Sequence, residues 1–429
     1  MDYLRGVLGM AILLGVAFLF SNGRRLIKWR LVIIGVALQV ILGIIILKVP
    51  QAKAVFEKIS SGFVKLLSFS DEGASFIFGD LAVDTDQYGF IFAFKVLPIV
   101  IFFSTLTAGL YYLGVLQKIV YAFAWVMART MRLSGAESLS AAGNVFLGQT
   151  EAPLLVKPYI KKMTDSELLC LMTGGMATVS GAVFATYVAF LGGDSTAEQT
   201  RFAAYLLSAS IMNAPAAIVV AKILFPEQSG KTSNTSLNIS SADIGVNLVD
   251  ALARGASDGL KLALNIGAML LAFISVVAAV NYFLLEVVGA NLGLNELIRT
   301  STDETFNGFS LEYILGQVFR VFAFIMGVDW SDSLVVGSLL GKKTVINEFV
   351  AYLDLSKLKA DLKIDGKALL ISTYALCGFA NFSSIAIQIG GIGGLAPTRQ
   401  SDLSRLGLRA LLGGSLASML TATLAGMIA

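Results

Sequence analysis

Histidine is absent from the 429-residue chain, and cysteine occurs only twice. The first absence removes the commonest metal ligand and proton shuttle. The second argues against a disulfide framework, because Cys170 and Cys377 both fall within apolar stretches. Charge is scarce as well. Asp, Glu, Lys and Arg make up 14% of the residues, against about a quarter in a soluble domain. There is no long acidic or basic tail and no low-complexity linker, and a net charge of +3 says little about partners.

What fills the chain instead is apolar. Hydrophobic residues account for 56%, glycine for 42 positions, and mean hydropathy is +0.78. Several apolar runs are long enough for the roughly 30 Å core of a bilayer. The expected class is therefore an all-α polytopic membrane protein. Eight transmembrane helices are expected at about 3–20, 31–48, 90–115, 166–192, 200–224, 263–287, 367–393 and 406–428. The first run lacks a small-residue cleavage site and continues into SNGRRLIKWR, so it is expected to be retained.

Basic residues in short loops set the orientation. Arg24, Arg25, Lys28 and Arg30 place the first loop in the cytoplasm, as do Lys161, Lys162, Arg399 and Arg405 for later ones. Asp71, Glu72, Asp80, Asp84 and Asp86, and the stretch GGDSTAEQ, suit the outer side. Both termini then lie outside the cell (inner) membrane.

Two regions do not read as spans. Residues 136–160 are interrupted by Gly143, Gly148, Pro153 and Pro158 around a polar GQTE, and residues 331–353 are apolar at the ends and polar in the middle. Such segments survive in a membrane only when buried in protein or lining a cavity. Both are expected to be re-entrant helical hairpins, with surface loops the alternative. They begin alike, AESLS and SDSLV, and each carries a late glutamate. Each precedes an apolar helix with a matching stretch, GMATVSGA and GFANFSSI, which aligns Thr178 with Asn381. The hairpins start from opposite sides, so the halves form an inverted repeat, as in many secondary transporters. The expected units are 1–132 (scaffold and interfacial helices), 133–225 (first repeat), 226–330 (interfacial and scaffold helix) and 331–429 (second repeat). Amphipathic stretches at 52–68, 115–131 and 246–261 are expected to lie in the interface or to pack against neighbours.

Glu151 and Glu348 occupy equivalent broken elements, and intramembrane carboxylates usually mark a pathway. A capping role for either is the alternative. Their neighbours Gln149, Thr150, Asn347, Asn381, Ser383 and Ser384 are neutral hydrogen-bonding groups, which suit a polar neutral solute. Carboxylates can hold paired hydroxyls, amides can read a heterocycle edge, and Phe379 and Phe382 can wall a flat ring or simply pack. Asn144, Thr178 and nearby unwound carbonyls can form an oxygen-only site for sodium, or else join helices.

At GQTEAP, INEFVAY and GFANFSSIAIQIGGIGGLAP the chain resembles the concentrative nucleoside transporter family. The resemblance runs through nearly the whole sequence, in segment order and in both hairpins. It implies a homotrimer embedded in lipid, with a mobile transport domain working by alternating access, and no nucleic-acid partner. It also implies that Gln149, Thr150 and Glu151 face the nucleobase with Val183 beside it. Glu348, Asn381 and Ser384 would hold the ribose hydroxyls, with Phe379 near the ligand. The sodium ligands would be the Asn144 side chain, the Leu147 carbonyl, the Thr178 hydroxyl and the Val179 carbonyl. Thr178 stands where a smaller Ser is familiar, which leaves H+ as an alternative to Na+. The resulting expectation is a sodium-coupled symporter importing nucleosides such as uridine. A channel would need a continuous polar path, and an enzyme an activated nucleophile or a metal cluster.

Overall fold

The computed structural model describes residues 2–88, 91–228 and 245–429, with no strand among them. Residue 90, where the third expected span begins, and residues 229–244 of the expected unit 226–330 lie outside the described residues. The chain opens with α1 (Asp2–Leu19), α2 (Trp29–Lys48), α3 (Pro50–Phe78), α4 (Leu97–Tyr112) and α5 (Val115–Met131). Pro50 sits in the first turn of α3, where its missing N–H costs nothing. Arg132 ends α5 in the left-handed region, at φ 53°.

The first repeat starts with a reciprocal cap between Ser134 and Glu137, which opens α6 (Gly135–Asn144). The chain then turns and returns in two single turns, Ala152–Leu155 and Lys157–Ile160. Pro158 has no N–H with which to carry the first of these turns on into a regular helix. A second reciprocal cap, Thr164 with Glu167, opens α7 (Asp165–Ala177). The backbone is extended at Thr178, resumes as α8 (Gly181–Gly192), and closes with the 29-residue α9 (Thr196–Leu224).

The second half repeats this order after α10 (Leu248–Tyr282) and α11 (Leu311–Ile325). Its hairpin is α12 (Trp330–Val345) and α13 (Glu348–Ala360). Its broken helix is α14 (Gly366–Leu376) and α15 (Phe382–Leu395), and its closing helix is α16 (Gln400–Ile428), again of 29 residues. Gly378 makes the second break possible. It has φ +135°, and a Cβ there would lie 2.6 Å from the Ala177 carbonyl oxygen at the first break. The two breaks therefore touch. Helices α9 and α16 pack together at the centre, α7 packs on both, and α1 and α2 cover them from outside.

Three features differ from the sequence reading. The stretch 246–261 is not a separate interfacial helix but the first half of α10, which continues through 263–282. Its amphipathic pattern is a packing stripe: Ala251, Gly255, Gly259 and Ala263 are buried, and Cβ atoms at Gly255 and Gly259 would come within 2.6 and 2.8 Å of α4. Small residues at this spacing let helix backbones approach closely. Second, α11 was not anticipated; it packs along α12 and turns into it through 118°. Third, six helical elements among the described residues are long and apolar enough to cross a membrane, where eight were expected. The two expected spans not among the six are α1 and the broken pair α14–α15.

Candidate functional site

The tips of both hairpins and both helix breaks meet in the interior. Asn347 caps α13 by accepting the Val350 N–H at 3.0 Å, which turns the next residue, Glu348, inward. Glu348 is 2% exposed. Its two carboxylate oxygens accept the Tyr187 hydroxyl at 3.1 Å and the Asn381 amide at 2.7 Å. Asn381 caps α15 through its own oxygen, which accepts the Ser384 N–H at 2.8 Å and the Ser383 hydroxyl at 2.7 Å. From the other hairpin, the Gln149 amide donates to the Ser384 hydroxyl at 3.0 Å. A continuous hydrogen-bonded chain thus runs from Gln149 through Ser384 and Asn381 to Glu348.

Thr150 and Glu151 stand apart from this chain, exposed at the tip of the first hairpin. Glu151 folds back over Gly148, against the Thr150 hydroxyl and the Gly148 N–H. Thr150 approaches α15 at Gly391, where a Cβ would lie 3.0 Å from its methyl. Val183 is buried one turn before Tyr187 on α8, and Phe379 is buried within the second break. Among the described residues no hydrogen bond joins Glu151 to Glu348.

A Cβ on Gly148 would fall 2.1 Å from Glu151 Oε2. The clash is with the far end of a flexible side chain, so it displaces the carboxylate rather than the fold. Gly148→Ala should therefore keep its thermal midpoint within a few degrees, while the affinity for any solute that Glu151 contacts falls about tenfold or more, the loss of one charge-assisted hydrogen bond. Ligand titration and thermal unfolding of the same preparation check it.

The second cluster sits where α6 and α7 end. Both C-termini carry partial negative charge, which favours a cation. Asn144 is 1% exposed; its amide nitrogen reaches the Leu171 carbonyl at 3.4 Å, and its Oδ1 is buried without a hydrogen-bond partner. Thr178 donates to the Gly174 carbonyl at 2.9 Å, leaving its oxygen lone pairs for another contact. Leu147 and Val179 are buried beside them in non-helical backbone. An orphaned amide oxygen with a hydroxyl and unwound carbonyls is an oxygen donor set, and it fits a hard monovalent cation.

Four residues were missed in the sequence reading. Tyr187 and Gln388 each support a residue already singled out. Gln388 donates to Gln149 Oε1 at 3.1 Å and to the Met172 carbonyl at 2.9 Å, fixing how the Gln149 amide faces. It lies one turn after Ser384 in an otherwise apolar IAIQIGG, a signal that was available. Asn213 on α9 donates to the Ala177 carbonyl at 2.6 Å and the Cys377 carbonyl at 3.1 Å, one from each break. Lys343 on α12 is buried and donates to the Ala375 carbonyl at 2.8 Å, with no ion pair among the described residues. The stretch GASDG at 255–259 has the letters of a hydrolase nucleophile turn, but it is uninterrupted helix within α10.

Comparison with known proteins gives this geometry a family. Residues 205–426 match the C-terminal model of the Na+ dependent nucleoside transporters, residues 8–81 the N-terminal model, and residues 93–194 a nucleoside recognition gate. The chain belongs to the concentrative nucleoside transporter family. An uncharacterized transporter of Haemophilus influenzae is 42% identical across all of this chain and 98% of its own length. The nucleoside permease NupC of Helicobacter pylori is 40% identical over 98% of this chain and 96% of its own. A structure of CNTnw in an inward-facing substrate-bound state is 38% identical, with a TM-score of 0.88 covering 100% of this chain and 99% of that one. The protein is thus a membrane-embedded nucleoside transporter and not an enzyme, and the family description makes sodium the coupling ion.

Proposed function

We propose that the transporter is a sodium symporter importing nucleosides, uridine among them, by alternating access. The observation that carries this reading is the hydrogen-bonded chain from Gln149 to Glu348, which joins the tips of two hairpins from opposite repeats. A solute seated along it is held by both halves at once, as a carrier requires. In this reading Gln149, Thr150 and Glu151 meet the nucleobase with Val183 beside it, and Phe379 packs against the ligand. Glu348, Asn381 and Ser384 take the ribose hydroxyls, the carboxylate accepting two of them in place of its present donors. Sodium is held by the Asn144 side chain, the Leu147 and Val179 carbonyls and the Thr178 hydroxyl.

The two repeats, 133–225 and 331–429, form the moving unit, and the segments 1–132 and 226–330 its scaffold. Each hairpin re-enters the membrane from one side. The chain is a homotrimer in the inner membrane with both termini outside, and it is surrounded by lipid.

The test is uptake of labelled uridine into proteoliposomes. An inward sodium gradient at constant pH should drive accumulation above the external concentration, and unlabelled nucleosides should compete. Uptake driven by a proton gradient alone would overturn the ion assignment, and equilibration without accumulation would overturn symport.

A further inference from the structure

A cavity of ≈ 290 Å³ lies away from the nucleoside site, between the start of α2, the end of α5, the first turn of α6 and the end of α9. Four cations line it: Lys28, Arg30, Arg132 and Lys222. Two carboxylates, Glu137 and Glu227, line it as well, so the cavity keeps a formal excess of two positive charges. The carboxylates are already engaged. Glu137 pairs with the buried Lys222, and Glu227 accepts the Thr164 hydroxyl at 2.7 Å. Lys28, Arg30 and Arg132 form no ion pair with any described residue. Arg132 is also held at φ 53°, a conformation that is costly for a residue with a Cβ and that collects at ligand sites.

Three unpaired cations around one cavity suit a phosphate, whose oxygens the planar guanidinium groups can bind in pairs. The setting identifies its source. Basic residues of the first loop place this end of the helices on the cytoplasmic side, where basic pockets between membrane helices take anionic headgroups. Next to the cavity, Trp29 and Ile33 on α2 and Leu26 just before it expose apolar surface, a track for an acyl chain with an indole at interface depth. We propose that this cavity binds the phosphate headgroup of an anionic lipid.

Thermal unfolding of the full-length protein in neutral detergent tests it, with dioctanoyl phosphatidylglycerol, dioctanoyl phosphatidylcholine and inorganic phosphate titrated at fixed ionic strength. Phosphatidylglycerol should raise the midpoint saturably and phosphatidylcholine should not. Arg132→Gly removes one cation and relieves the backbone at the same position, so it should fold at least as well. Its apparent affinity for phosphatidylglycerol should be about fivefold weaker. The Lys28→Gln/Arg30→Gln double variant should lose more. A saturable response to inorganic phosphate of equal affinity, lost in the same variants, would support the phosphate site and assign it to free phosphate. No saturable response, or one unchanged in the variants, would overturn the proposal.

Discussion

Glu348→Gln is expected to weaken nucleoside binding about a hundredfold or more while leaving the protein folded. The substitution keeps the shape of the side chain and removes its charge. Both oxygens of Glu348 now accept hydrogen bonds, from Tyr187 and Asn381, and the proposed ribose contacts would be charge-assisted in the same way. Each such bond is worth about 1.5–3 kcal/mol, so two together account for two or more powers of ten in affinity. The structural alternative predicts something else. Glu348 is the first residue of α13, and a carboxylate there stabilises the helix by about 0.3–1 kcal/mol through its dipole. If that were its whole role, the variant would lose a few degrees of thermal midpoint and bind nucleoside as before. Calorimetric titration alongside thermal unfolding separates the two outcomes.

Asn144→Leu should abolish the response to sodium without destabilising the sodium-free protein. The side chains are close in shape, and the one hydrogen bond lost, at 3.4 Å, is long. The buried Oδ1 has no partner, and removing an unsatisfied acceptor is worth about 1–3 kcal/mol in the opposite direction. In choline buffer the variant should therefore melt at or above the parent temperature. In sodium at about a hundred times its dissociation constant, the parent gains about 2.7 kcal/mol and the variant gains nothing. Uridine uptake by the variant should likewise not respond to sodium. A variant that is still stabilised by sodium would remove Asn144 from the ion site.

The two hairpins are legible in the sequence because their signals are local, whereas the breaks near Thr178 and Gly378 fall inside the stretches 166–192 and 367–393, which read as continuous spans. In the hairpins Gly and Pro interrupt apolar runs, polar groups fall where a span would be apolar, and the pattern recurs at a fixed order. Burial of Asn144 and Glu348 followed the same logic. What stayed hidden depends on contact partners. The period of 246–261 fits an interfacial helix as well as a packed one, and only the close approach of α4 decides between them. Tyr187, Gln388 and Asn213 take their importance from groups more than 35 residues away, a separation that local pattern does not encode. In the sequence Gly148 reads only as a helix breaker, yet its missing side chain is the space that Glu151 occupies.

Asn213 joins the Ala177 and Cys377 carbonyls, the last links of the first halves of the two broken helices. Ser418 on α16 reinforces the second with a hydrogen bond of 3.0 Å to Cys377. In the proposed symporter these ends belong to the ion side and the sugar side, so one amide gives both occupants a common stake in the same backbone. Coupling of that kind is reciprocal: the factor by which sodium tightens nucleoside binding is the factor by which nucleoside tightens sodium binding. Neither occupant is then cargo or driver by nature. The concentration gradients across the membrane decide which one performs work on the other.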